Sequence, residues 1–599
     1  MKKVLSWLVL PALLAVGCTK DNILDNSSGN NEGSSSTSLP AVTPDEDTED
    51  DKIENTTFAR TITIVFSDNG SATVTGDEKG IVRVNGNQVT ADNSANDEAV
   101  RYELSGSTSN GFFKLYSSNR QALVLNGVSI TNPNGAAINN QSKKRCYVVL
   151  SGQNSLSDGS SAAYATEGEE DMKAVLFSEG QLVFSGNGSL TVSAQNAQGK
   201  SGITSDDYVH LMEGPTLKVT AGSGAGHGVR GKDYVRIGGG VLEVTVKAAM
   251  KKGIGSDGYV LVEGGNTTLQ VSGGVAYDSE DQEYTGSAGV KADNFFGMTG
   301  GTLTITNTGA GGKGIRAGNY AYYKTNGGLN DSYISGGKLT VSTSGSESND
   351  VSAKGIKIGF KEGSGRSYVY GGNLVVSGGS TVVTCAKSEG LEAKGTLTVS
   401  GGELYVTSAS DDAINCQGEL NVTGGYVYGF SSGNDAIDAN GNMVLSGGYI
   451  FGITTKGSPE VALDANTEGG YKLYIKSGAT VVAYGGLESG YSAEQNVYSM
   501  SCSAGAWNAL WDGSAFIAAF KAPANISTVA VSAPSLSQGY TGVSVGESLC
   551  NGIWAADGIS GGTAVSLGTY TGNQGGGPGG GGFPGGGGGP GGGGFPGGH

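Results

Sequence analysis

A unit of 23 to 26 residues recurs along this chain, and its copies set side chains of one chemical kind at equivalent positions. Three successive copies read SEGLEAKGTLTVSGGELYV from Ser388, DDAINCQGELNVTGGYVYG from Asp411 and NDAIDANGNMVLSGGYIFG from Asn434. Leu391, Ile414 and Ile437 are spaced by 23. A fixed period of this size, built from short alternating apolar runs and Gly-Gly corners, specifies a solenoid whose every turn is one coil of sheet. The expected form is a parallel β-helix. The unit continues upstream with anchors at Ile203, Val229, Ile254, Val290, Ile315 and Ile356. Wider gaps of 36 and 41 between anchors locate insertions, around residues 277–285 and twice between 320 and 366.

Composition agrees with a turn-dense all-β chain. Of 599 residues only 15% are charged and 107 are glycine, and no amphipathic helix of useful length is evident beyond the leader. The net charge of −18 argues against a nucleic-acid partner, since phosphate recognition needs a basic face. Part of that charge is the run PDEDTEDDKIE, expected as a solvated linker. At the N-terminus MKKVLSWLVLPALLAVGC resembles a bacterial lipoprotein signal, which implies cleavage before Cys18 and lipid on that residue. Lys20-Asp21 resembles the export cue of Bacteroidetes lipoproteins, so the expected location is the outer membrane, lipid-anchored, at the cell surface. The expected organisation is a signal peptide (1–17), a disordered tether (18–55), a β-rich N-terminal cap (56–170), a β-helix (171–470), a β-rich C-terminal region (471–570) and a Gly/Pro-rich disordered tail (571–599).

Several reaction classes lack their residues. Only His210, His227 and His599 occur, and no CxxC or Cys/His cluster, which leaves nothing to build a zinc site or a serine triad. Cys416 falls in register with Ala393 and Ala439 and reads as a small buried stacking residue; Cys502 and Cys550 are candidates for a pair that spacing alone does not establish.

The chemistry therefore lies in the ladders. Directly after the anchors come Arg230, Lys291, Arg316 and Lys357, then Glu392, Asn415, Asp438 and Asp464 in the same slot. Two residues before the anchors, Lys252, Lys313 and Lys354 give way to Glu389, Asp412 and Asp435. One edge changes sign near residue 370, and like charges one coil apart repel unless an ion or a charged ligand compensates them. Oxygen-only donors suit Ca²⁺, and Asp411, Asp412, Asn415, Asn434, Asp435 and Asp438 offer such a set on two adjacent coils, with Glu389, Glu392 and Asp464 flanking it. The alternative is a plain Asn/Asp turn ladder. Asp206, Asp233, Asp257 and Asp293 each precede a strand and read as turn residues.

Aromatic residues form two rows. Tyr208, Tyr234, Tyr259, Phe295 and Tyr320 share one position and are expected to pack on one another. Strand alternation sends Tyr405, Tyr428 and Phe451 outward, flanked by Tyr426, Tyr449 and Phe430. This second row is either a face on which pyranose rings stack or a surface covered by the segment after Gly470.

The stretch ALVLNGVSITNPNGAAINNQSKKRCYVVLSGQNSLSDG, the EGLEA, DDAIN and NDAIDANG coils and the GGGPGGGGFPGGGG tail resemble the carbohydrate-binding domain family of calcium-containing right-handed β-helix proteins on clostridial and other bacterial surfaces. The resemblance covers roughly residues 62–483 and the tail. It implies a non-catalytic polysaccharide-binding protein of pectate-lyase-like shape, with cellulose or acidic pectin-like glycans as ligands and with Asp411, Asp412, Asp435 and Asp438 as calcium ligands. The expected function is calcium-dependent binding of surface polysaccharide, with the rings of Tyr405, Tyr426, Tyr428, Tyr449 and Phe451 and the cations of Arg316 and Lys357 contacting the sugar. Two alternatives stay open. One is a calcium-dependent lyase in which Lys357 or Arg316 takes the proton at C5 of a uronate; the other is a purely structural surface protein.

Overall fold

The computed structural model describes residues 47–572 except 167, 280–281, 365–366 and 524. The signal peptide, Cys18, the tether up to residue 46 and the tail from 573 lie outside the described residues. Among the described residues no helix is long and apolar enough to cross a membrane.

The molecule is nearly all β, with long parallel sheets consistent with a β-helix. Most repeats give three short strands, as in Ser201–Ser205, Val209–Leu211 and Thr216–Ala221, each pairing in parallel with its counterpart one repeat on, whereas the repeats from Asp411 and Asn434 run the second and third together as Leu420–Ser431 and Met443–Thr454. The anchors stack in one unbroken register: Ile203 faces Val229, then Ile254, Val290, Ile315, Ile356, Leu391, Ile414, Ile437 and Leu463. All of these are buried, because alternation turns every second side chain inward to one continuous apolar core. Upstream, Val89, Phe113, Ile138 and Leu176 belong to the same parallel ladder. Parallel pairing thus already occupies the segment expected as a cap, and no change in pairing marks residue 171.

The corners explain the Gly-Gly pairs. Gly425 has φ of +80°, and a Cβ there would lie 2.8 Å from the Gly401 carbonyl carbon of the neighbouring coil. Glycine is required both for the left-handed backbone and for the close approach of stacked corners.

The insertions fall where the anchor spacing widens. Ala276–Asp278 and Glu283–Thr285 form a hairpin, and Phe360–Ser364 pairs with Ser367–Gly371 in another. Between them lies a seven-residue helix, Tyr320–Asn326, capped by the Asn319 side chain, which accepts from the Tyr322 amide at 2.7 Å. That helix removes Tyr320 from the aromatic row, and Tyr333 stacks on Phe295 in its place.

The acidic run is not wholly a solvated linker. Asp47–Asp51 and Ile53–Asn55 form 3-10 turns. Asp51, 4% exposed, accepts from Arg145 Nε at 3.0 Å and the Tyr208 hydroxyl at 2.5 Å, and pairs with His210 Nδ1 at 2.6 Å. A buried carboxylate is tolerable only with such partners, and here the coil supplies all three.

After Thr480–Tyr484 the pairing turns antiparallel, first with Thr528–Ser532 and then with Tyr498–Ser501. A separate five-stranded sheet follows, in the order Trp554–Ala555, Ala515–Lys521, Trp507–Asp512, Gln538–Ser544, Ser560–Val565.

Candidate metal and glycan sites on the coil ladders

Local turn chemistry presents the acidic column. Ser431 Oγ donates to the Asp411 carbonyl at 2.6 Å and accepts from the Asn434 amide at 3.0 Å, and Thr454 Oγ1 donates to the Asn434 carbonyl at 2.6 Å. Ser408 accepts from the Asp411 amide at 3.1 Å. One hydroxyl per coil therefore fixes the turn preceding each DDAIN-like strand, and the strand register does the rest: Glu392, Asn415, Asp438 and Asp464 face one another in sequence.

These carboxylates are crowded and short of cations. Asn415 Nδ2 donates to Asp412 Oδ2 at 2.8 Å and to Asp438 Oδ2 at 2.9 Å, so one neutral amide serves two acids. Asp412 Oδ1 accepts from the Asp435 amide, and Asp435 Oδ1 from the Val461 amide. Burial and the neighbouring Asp438 push Asp412 up to about 8. Burial, then Asp435 and Asp411, push Asp438 up to about 7, and burial takes Asp435 to about 6. Asp411 is raised by burial and Glu389, and Asp464 by burial and its hydrogen bond with Glu488.

Glu389 and Glu392 behave differently. Lys354 Nζ lies 2.7 Å from Glu389 Oε1 and 2.8 Å from Glu392 Oε2, and Lys394 pairs with the other Glu392 oxygen. Against the cost of burial, Lys354, Lys394 and Lys357 hold Glu392 down at about 2. At the coil where the edge changes sign, the protein supplies its own counter-charges, so this pair of glutamates is not left in need of a metal.

Among the described residues, three carboxylate ligand atoms within 4.8 Å of one another occur at Asp171, Glu179 and Asp206. This triad could bind a metal, although Lys173 already reaches Asp171 at 2.7 Å and Asp206 at 2.5 Å. Reading Asp206 as a turn residue misses it. The signal was the pairing of Ser178 with Ser205, which sets Glu179 beside Asp206 and becomes visible once Leu176 is aligned with Ile203.

The basic stretch is only partly available to a ligand. Lys252, Lys313 and Lys354 are buried. Lys252 Nζ donates to the Met250 carbonyl and Lys313 Nζ to the carbonyls of Gly311 and Ser352, both at 3.0 Å; burial and neighbouring cations lower both lysines to about 7. In the outward slot Arg230 pairs with Asp257 at 2.6 Å, Lys291 with Asp293, and Arg316 with Thr285 Oγ1 at 3.1 Å on the inserted hairpin. Lys357 is lowered to about 8, by burial first and then by Arg316, Lys354 and Lys394, with Glu392 opposing.

The second aromatic row is covered. Tyr428 is 3% and Phe451 0% exposed, and both belong to a core with Leu510, Phe520 and Trp554 of the C-terminal sheet; Tyr405, Tyr426 and Tyr449 pack partly buried at its margin. Stacking adds a second reason. Tyr405 lies on Tyr428 at 4.7 Å and 9°, and Tyr426 on Tyr449 at 4.6 Å and 7°, so neighbouring coils occupy the ring faces that a sugar would need. The expected glycan platform at Tyr405, Tyr426, Tyr428, Tyr449 and Phe451 is corrected to a docking core. Cys416 is buried, as its register implied, and Cys502 and Cys550 are free thiols.

The chain belongs to the family of carbohydrate-binding domain-containing proteins, which it matches over residues 85–428 and 367–505. No curated protein matches it. Among solved structures, a polysaccharide lyase-like protein from C. thermocellum, determined as a gadolinium derivative, aligns over 54% of this chain and 93% of its own, at 20% identity and a TM-score of 0.29.

Proposed function

We propose that this chain is a non-catalytic, calcium-stabilised right-handed β-helix that binds acidic polysaccharide at the cell surface, held to the outer membrane through lipid on Cys18. The observation that carries this reading is the crowded acidic column, where Asp412, Asp435 and Asp438 have one another and neutral amides for company. All-oxygen donors without a cation fit a hard divalent ion. Asp411, Asp412, Asp435 and Asp438 would hold it, joined by the side-chain oxygens of Asn415 and Asn434 when those amides turn over, with Asp464 beyond. Calcium would supply the positive charge that the coil stack lacks there. Arg316 and Lys357, in the outward slot of neighbouring coils, would meet the uronate carboxylates of a pectin-like glycan.

The test is retardation of the full chain by polygalacturonate in native electrophoresis, with calcium and with chelator. Equal mobility with and without the polymer in calcium sinks the reading. One observation favours a lyase instead: a lysine lowered to about 8 beside an arginine is poised as a general base. Unsaturated uronate products released by the parent and abolished by Lys357→Met would establish it.

A further inference from the structure

We propose that the outer face of the C-terminal five-stranded sheet is a second glycan site, taking a neutral polysaccharide by stacking on Trp511. The sheet has two unlike faces. Leu510, Ala518, Phe520 and Trp554 pack inward against Tyr428 and Phe451. Alternation sends Trp507, Ala509 and Trp511 to the other side. There Ala509, Ala519 and Ala555 are fully buried beneath Trp507, Trp511, Phe516, Tyr540 and Ile559, so this face is a layer of rings over small residues.

At the edge of that layer lies an open depression of about 330 Å³, a size usual for small-ligand sites, lined by Trp511, Tyr540, Ile559, Ser514, Ser560 and two glycines. Its rings differ from those of the coil columns. Trp511 meets Phe516 at 5.5 Å and Tyr540 at 6.1 Å, both at 68°, so neither of these rings stacks in parallel on it. The lining carries hydroxyls and no charge, which matches a neutral pyranose: its C–H face stacks on an aromatic ring and its hydroxyl edge meets serine and tyrosine oxygens. An acidic sugar would find no cation in this lining. The site lies beyond residue 505, where the family match ends, and is independent of the calcium ladder.

The experiment is affinity electrophoresis of the full chain in gels containing hydroxyethyl cellulose, galactomannan or xylan, beside Trp511→Ala and Ser514→Arg. The second variant fills the depression from an exposed turn without removing packing, so it remains informative if the first fails to fold. We expect retardation by at least one neutral polymer, weakened roughly tenfold in both variants, with polygalacturonate retardation unchanged. No retardation by any of the three neutral polymers, or equal retardation of parent and Ser514→Arg, overturns the proposal. So does a parent dimer that Ser514→Arg splits in the absence of neutral-glycan binding, which would make the face a contact between copies. Loss of polygalacturonate binding alone bears on the ladder reading and leaves this one standing.

Discussion

Asp412 is a carboxylate that its surroundings keep from ionising. An unfolded aspartate ionises near pH 3.9, whereas folded Asp412 holds its proton to about 8. Between those values the native state binds more protons than the unfolded one, so stability falls as pH rises, by about 1.4 kcal/mol for each pKa unit of separation. In chelator the melting temperature should therefore drop from pH 4.5 to 8, and Asp412→Asn should flatten that decline. A melting temperature that is flat or rising over this window would contradict the account. Glu392 has the opposite sign: held at about 2, it contributes stability above the unfolded carboxylate pKa that is lost as pH falls towards 2. Glu392→Gln leaves Lys354 and Lys394 short of an anion and should cost about 3 kcal/mol, the low end for breaking a buried pair because Lys354 keeps Glu389. Urea unfolding of the two proteins measures it. The residue types of this column were legible in the sequence. Their partners were not, because Lys354 meets Glu392 only once the coils stack in register.

Among the elements, the strands carrying Tyr405, Tyr428 and Phe451 show how far periodicity reaches. Alternation correctly sends these rings away from the coil interior, since Leu404, Val427 and Ile450 fill it. What lies outside the coil is a separate question, answered by Phe520 and Trp554, which lie 69 and 103 residues downstream of Phe451. Tyr428→Ala should therefore lower stability by about 3 to 5 kcal/mol, as for an aromatic side chain removed from a core. Calorimetry of that variant, beside its binding to polygalacturonate, checks the assignment; full stability with lost binding would return the ring to a glycan site. The C-terminal region was legible only as β-rich; that its strands form a separate sheet with two unlike faces was not, nor which face would meet the coils.

At the scale of the whole molecule, calcium held between coils would act on the stack and not on one loop. At free calcium about 100-fold above its dissociation constant, the bound state should gain about 2.7 kcal/mol, seen as a higher melting temperature than in chelator. Coincident melting curves would remove calcium from the proposal. Cys18→Ser should release the chain from the membrane fraction, since stable attachment depends on the acyl chains, and unchanged partitioning would place the anchor elsewhere. The sequence by itself determined the coil: its 23-residue period, glycine corners and alternating apolar positions are local properties, and one repeat needs only the next to satisfy its backbone and bury its face. Only the tertiary structure decided which charges are neutralised, which lysines are buried and what covers the second aromatic row. Those outcomes depend on insertions and on a distant C-terminal sheet, whose contacts are long-range and leave no periodic trace in the chain.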